Sequence, residues 1–194
     1  MAAMLMGAWS LQSCDNEPTK EVWLDEFGQD SCYVQDWGML EVNRSVVHTP
    51  LTVNGVVYER GLGAHSISRL LYDLDGKAVS ISGLAGADDK NLFAGKLQFK
   101  ILGDKKELWK SGVMQKGDPV KEFNVNLKGV DKVLLLVEEC GDGIMYDHAD
   151  WLNVKITTRG DVKPVPAWAK PVAKEKYILT PPAPESPVIN NPLV

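Results

Sequence analysis

A chain of 194 residues with 44% hydrophobic and 24% charged residues has ordinary globular composition, enough for one domain with its own core. A net charge of −5, with 21 Lys and Arg scattered along the chain, argues against a nucleic-acid partner, which needs a basic stripe to neutralise phosphates. No stretch reaches the roughly 20 apolar residues of a transmembrane span.

The N-terminal segment, residues 1–20, stands apart. Residues 1–11 (MAAMLMGAWSL) are apolar and uncharged and run into Leu11-Gln12-Ser13-Cys14. This reads as the end of a signal sequence, and the Leu-x-small-Cys order resembles a bacterial lipoprotein cleavage box. On that reading Cys14 is lipidated, residues 15–20 form a polar tether, and the protein is exported to a bacterial periplasm or cell surface. No basic residue precedes the apolar run, which is short for a signal core. A truncated start would account for both departures, and an irregular N-terminal tail is the other reading.

From residue 22 to 157 the pattern is almost wholly β. Val79 and Ile81 alternate with Ser80 and Ser82; Leu97, Phe99 and Ile101 alternate with Gln98 and Lys100. Phe123, Val125 and Leu127 alternate with Asn124 and Asn126, and Leu152, Val154 and Ile156 with Asn153 and Lys155. A period of two marks strands with one face buried and one in water. The unbroken run at residues 133–137 (VLLLV) reads as a strand buried on both faces. Asp75-Gly76, Gly103-Asp104 and Gly117-Asp118-Pro119 supply turns between these runs. No segment carries a helical period over three turns. The expected fold is all-β, a jelly-roll-like β-sandwich of about eight strands over residues 21–158.

Residues 159–194 change character: eight of the 11 prolines fall there. Proline at that density removes ladder donors and favours extended, semi-rigid chain, so the segment reads as a linker toward a further domain. Cys32 and Cys140 lie near the two ends of the β region. A bridge between them would close a loop of about a hundred residues and contribute on the order of 4–5 kcal/mol. Two independent buried thiols are the alternative. With Cys14 the only other cysteine, no close zinc-ligand spacing exists.

Two polar clusters interrupt the strands: YERGLGAHS at residues 58–66 and GDGIMYDHADW at residues 141–151. Loops on a rigid sheet scaffold are where binding residues concentrate. Gly61-Leu62-Gly63 begins like a dinucleotide-binding glycine motif, but Ser66 stands at its last position and no helix follows. No G-x-S-x-G elbow surrounds Ser66. Asp88 with Asp89, or Asp147 with Asp150, would supply the two carboxylates of a glycosidase, yet a sandwich of this size favours shallow loop-end sites over a cleft. The residue types suit sugar binding better. His65, Asp88, Asp89, Asp147, His148 and Asp150 can bond hydroxyls, and Trp37 and Trp151 can stack on ring faces. Trp151 has the opposite parity to Leu152, Val154 and Ile156, so it is expected to point away from their buried face. The competing structural readings are a loop-bridging His65, turn-stabilising aspartates and a Trp151 that covers a sheet edge. The aspartates also leave a structural calcium open, although no D-x-D-x-D-G loop is present.

In order along the chain, Val22-Trp23-Leu24, Trp37-Gly38, Asn43-Arg44-Ser45, GLGAHS, Ala87-Asp88-Asp89 and YDHADW resemble the NPCBM family of carbohydrate-binding modules, over residues 21–158. The resemblance implies a galactose-binding-domain-like sandwich without catalytic residues of its own. It implies galactose-containing glycans as partners and attachment to a glycoside hydrolase; the alternative is a structural module that packs on the catalytic domain and binds no sugar. The stretch at residues 177–194 resembles the segment joining such a module to the next domain in bacterial α-galactosidases, which implies a C-terminal catalytic partner. The family pattern requires neither Cys32 nor Cys140, so a bridge between them would be particular to this protein.

Overall fold

A computed structural model describes residues 17–160 and 165–166, with only the backbone described for residues 28–33 and 165–166. The alternating segments form antiparallel strands, as their periodicity requires. They are β1 (Thr19–Trp23), β2 (Cys32–Gln35), β3 (Glu41–Val42), β4 (Leu51–Val53), β5 (Val56–Tyr58), β6 (Gly61–His65), β7 (Ser68–Asp73), β8 (Ala78–Ala87), β9 (Leu97–Gly103), β10 (Lys106–Met114), β11 (Lys121–Asn126), β12 (Lys132–Glu139), β13 (His148–Arg159) and β14 (Val165–Pro166). A short 3-10 helix (Leu24–Ser31) follows β1. One sheet runs β11-β8-β13-β6-β3 and the other β10-β9-β12-β7-β14; β1 joins the first beside β13 and β2 the second beside β7. The expected all-β sandwich is what forms. Fourteen strands form among the described residues where about eight are expected; β2 to β5 and β14, two to four residues each, are part of the excess, because so few residues cannot display a period.

The core lies between the sheets. Leu62, Ile81, Phe123, Trp151, Val154 and Ile156 from one sheet meet Leu70, Tyr72, Leu97, Phe99, Ile101 and Leu135 from the other. β13 is the longest strand and organises its sheet. β8 flanks it along one edge, while β6 pairs its first half (Leu152 opposite Gly61) and β1 its second (Ile156 opposite Val22). Midway it carries a bulge: Leu152 faces Leu84 and Lys155 faces Ser82, so Asn153 and Val154 together oppose Gly83. Asn153 takes a left-handed conformation (φ 50°) there. A β-carbon on Gly83 would lie 2.9 Å from the Phe123 ring and 3.0 Å from the Leu152 carbonyl, so only glycine fits opposite the bulge.

The bulge corrects the expectation for Trp151. Parity holds through Leu152, Val154 and Ile156 only if the strand is regular. The extra residue shifts Val154 and Ile156 onto the face of Trp151 and leaves Leu152 on the other side, under the β4–β5 hairpin with Leu51 and Val53. Trp151 is fully buried, its ring system nearly perpendicular to Phe99 (centroids 4.9 Å, 82°) and to Phe123 (5.7 Å, 83°). It offers no face to a ligand.

Of the two readings left open for Cys32 and Cys140, the bridge is the one the backbone does not allow. Cys32 lies opposite Leu70 on one edge of β7, and Leu135 lies opposite Leu70 on the other. Cys140 follows five residues beyond Leu135. Strand rise and spacing then separate the two Cα atoms by roughly 19 Å, against about 7 Å at most for a disulfide. Cys140 is a free thiol. Cys14 and most of residues 1–20 and 159–194 lie outside the described residues.

Trp151→Ala therefore removes the largest buried side chain of the core. We expect a loss of about 3–5 kcal/mol in urea unfolding; a loss under about 1 kcal/mol would mean that the indole does not fill the space between the sheets.

Candidate functional site

The register between β6 and β13 sets His148 opposite His65 at one end of the first sheet. The two imidazoles lie 5.5 Å apart, and Trp37 covers both: it stacks on His148 at 5.7 Å with planes within 6° and tilts against His65 at 5.0 Å. Beside these rings opens a cavity of about 280 Å³ lined by Trp37, His65, Ile144, Met145, Tyr146 and His148. That volume is near the lower end of ligand pockets and suits one small polar molecule. The indole is 48% exposed while both histidines are buried at their edges, so the cavity has an aromatic wall facing water and a polar floor. A larger hollow of about 390 Å³ on the second sheet is lined by Leu71, Leu102, Leu134, Asp104, Lys105 and Lys132; it has no aromatic wall and none of the clustered polar residues.

The floor is held from beneath. The His65 Nδ1 proton goes to the carbonyl of Ser66 at 2.5 Å, since a carbonyl can only accept; this fixes the tautomer and leaves Nε2 as the acceptor of the ring. The Ser66 hydroxyl donates to Asp147 Oδ2 at 2.5 Å, and Ser66 N donates to the Asp147 carbonyl at 3.2 Å. Burial lowers the pKa of His65, partly offset by the Ser66 bond and by Asp36. Burial also lowers that of His148, helped by His65 and opposed by Asp88. Both rings are thus neutral near pH 7, each with one donor and one acceptor nitrogen, which matches a hydroxyl group. Asp147 is pushed up to about 6, chiefly by burial, against the Ser66 bond and with help from Asp142 and Glu139.

Of the residues singled out in the sequence, the structure brings Trp37, His65 and His148 to the cavity and places Asp147 just under it. The other carboxylates serve the scaffold. Asp89 accepts from Asn54 N (3.0 Å) and Gly55 N (2.7 Å), closing the β4–β5 turn. Asp88 is fully buried and accepts from Lys90 N (2.6 Å) and Thr52 N (3.4 Å). Asp150, wholly buried, faces Asp88; burial first, then Asp88 and Asp89, raise its pKa well above the usual carboxylate range. Two carboxylates would be acceptor against acceptor, so Asp150 keeps its proton and donates to Asp88. Among the described residues no three of His, Cys, Asp and Glu gather as a metal-ligand set. Ile144, Met145 and Tyr146 line the cavity although no chemistry in the sequence marks them; their only signal is membership of the same cluster as Asp147 and His148.

The Asp150 proton has a consequence for stability. A carboxyl whose folded pKa is raised stabilises fully below its unfolded value, about 3.9, and that contribution is lost as pH rises through the folded pKa. The Asp150→Asn substitution keeps a donor toward Asp88 and leaves no proton to lose. The melting temperature of Asp150→Asn should therefore gain on the wild type steadily from pH 4 to pH 8; a difference independent of pH would show that Asp150 does not hold a proton.

The fold has clear counterparts. The chain is 29% identical over 130 residues to the alpha-1,3-galactosidase B of Akkermansia muciniphila, matching 65% of this chain and only 16% of that protein. A CBM51 module from Clostridium perfringens GH95, solved in complex with methyl-galactose, superposes with a TM-score of 0.64 at 25% identity, covering 71% of this chain and 99% of that one. The structure of the M60 catalytic domain with CBM51-1 and CBM51-2 from Clostridium perfringens ZmpB matches at a TM-score of 0.65 and 28% identity over 73% of this chain and 15% of that one. The chain thus spans only 16% of the length of the curated galactosidase it matches. Residues 20–157 match the NPCBM/NEW2 domain, and the chain belongs to that family of carbohydrate-binding modules.

Proposed function

We propose that this chain is a non-catalytic module that binds a galactose-type sugar in the Trp37–His65–His148 cavity and holds a glycoside hydrolase, of the α-galactosidase kind, on galactose-containing glycans. The observation that carries the reading is the half-exposed Trp37 ring standing beside two neutral imidazoles at the edge of an open cavity. The C3, C4 and C5 hydrogens of a galactose ring lie on one face and form an apolar surface for an indole. A hydroxyl on the ring rim then donates to His65 Nε2. The pairing leaves no charge to desolvate, because the histidines are neutral.

A hydrolase reading lacks its machinery. Glycosidic cleavage needs two carboxyl groups flanking the scissile bond, whereas Asp88 and Asp150 are sealed in the interior and bonded to each other and to backbone. A purely structural role for the domain leaves the open, aromatic-walled cavity without a purpose. The matched relatives support the sugar and the setting: one was solved with methyl-galactose, and the others are a galactosidase and an assembly with a catalytic domain.

The test is calorimetric titration with methyl galactoside. The wild type should bind in the micromolar to millimolar range, about 4–8 kcal/mol in total. Trp37→Ala should weaken binding by about tenfold or more, since stacking an aromatic face contributes roughly 1–3 kcal/mol. Its unfolding should stay close to that of the wild type, because the ring lies at the surface. Equal affinity of the two proteins would remove Trp37 from the site, and no heat with any galactoside at millimolar concentration would end the reading.

A further inference from the structure

The connection between β8 and β9 holds two apolar side chains out in water: Leu92 is 75% and Phe93 66% exposed. Scattered apolar residues at a surface need no explanation, but a contiguous group beside a binding cavity does. Phe93 packs on Tyr146 in a T-shaped pair, centroids 4.9 Å apart and planes at 70°. Tyr146 lines the cavity, as does Met145, itself 70% exposed. Trp37, Met145 and Tyr146 thus line one cavity, and Phe93 extends that lining outward through Tyr146.

This rim is built rather than incidental. Asn91, next to Leu92, is fully buried: its side-chain amide donates to the His148 carbonyl at 3.0 Å and accepts from His148 N at 2.9 Å, and its own carbonyl takes Lys116 Nζ at 2.7 Å. At the other end of the connection, Lys96 N donates to Asp142 at 3.2 Å and the Lys96 carbonyl accepts from Cys140 N at 2.9 Å. A β-carbon on Gly95 would collide with Asp147 Oδ1 and with the carbonyls of Met145 and Tyr146, so the two loops lie in direct contact. Tyr146 stands at φ 65°, a conformation uncommon for an aromatic residue, which the surrounding contacts sustain. The same anchors that hold His148 in the floor thus hold Phe93 at the rim.

We infer that Phe93, with Tyr146 and Met145, forms a second subsite for the next residue of the glycan, an acetamido sugar whose methyl group rests on Phe93. This rests on the sugar-binding reading above. Hydroxyls turned toward Leu92, Phe93 and Met145 would give up water without gaining a side-chain partner. The part of the ligand that lies there is accordingly apolar. Trp37 already takes the ring face of the terminal sugar, and the acetamido methyl is the compact apolar group that a second sugar carries. A rim fixed in advance adds affinity with little ordering cost.

Lactose and N-acetyllactosamine differ only in the acetamido group, which makes them the probes, with methyl galactoside as the one-ring reference. By calorimetry the wild type should bind N-acetyllactosamine about three- to tenfold more tightly than the other two, the weight of one aromatic contact. In Phe93→Ala the ratio of N-acetyllactosamine to methyl galactoside affinity should fall to about one, with the melting curve reporting that the fold is kept. Equal affinity for all three ligands in the wild type overturns the subsite alone, as does a gain that survives Phe93→Ala. A lactose gain as large as that of N-acetyllactosamine overturns the acetamido assignment. Failure to bind any of the three overturns the subsite together with the reading beneath it.

Discussion

The antiparallel register of β6 against β13 is the constraint on which the site depends. Pairing His148 with His65 brings both imidazoles to the same end of the sheet, and a slip of one residue would turn one of them to the opposite face. Several features hold that register. Trp151, three residues into β13, is locked between Phe99 and Phe123. The Ser66 hydroxyl and amide tie the end of β6 to Asp147 just before β13. Asn91 grips both the amide and the carbonyl of His148 from a third segment. Core packing, a buried polar link and a side-chain clamp thus converge within four residues of β13. The strand that carries the site is also the strand that centres its sheet.

Charge is kept low at the heart of this arrangement. A buried cluster of histidines and aspartates would be costly if each member were ionised. The structure meets the difficulty by shifting protons. The histidines lose theirs near neutral pH, Asp150 keeps its own and shares it with Asp88, and Asp147, pushed up to about 6, sits close to its transition. What faces the cavity is a pair of neutral rings. For a neutral, hydroxyl-rich ligand that is a matched surface, because neither partner must desolvate a full charge to make contact.

Much of this is legible in the chain. The alternation in β8, β9, β11 and the end of β13, with the unbroken apolar run of β12, identifies the sandwich, and the clusters around His65 and His148 lie where the cavity opens. The failures have physical causes. Parity counted across Asn153 sends Trp151 to the surface, because a bulge adds a residue there; a two-versus-one pairing is a property of the sheet and leaves no mark in a single strand. Asp88 and Asp150 read as ligand groups because sequence does not disclose that a carboxylic acid pair can satisfy itself in the interior. Cys32 and Cys140 look like natural partners along the chain, but β2 and β12 flank opposite edges of β7. Phe93 carries no signal of its own because its meaning comes from Tyr146, some fifty residues away in sequence and in contact only after folding.

If sugar enters the space walled by Trp37 and floored by His65 and His148, those three side chains must sense it together. Nitrogen-15 NMR of the histidine and indole groups during titration with methyl galactoside follows each of them, residue by residue. Saturable shifts at His65, His148 and the Trp37 indole, with the Trp151 indole unmoved in the core, are the predicted result. No shift at the two histidines, or shifts only at indoles other than Trp37, would contradict it.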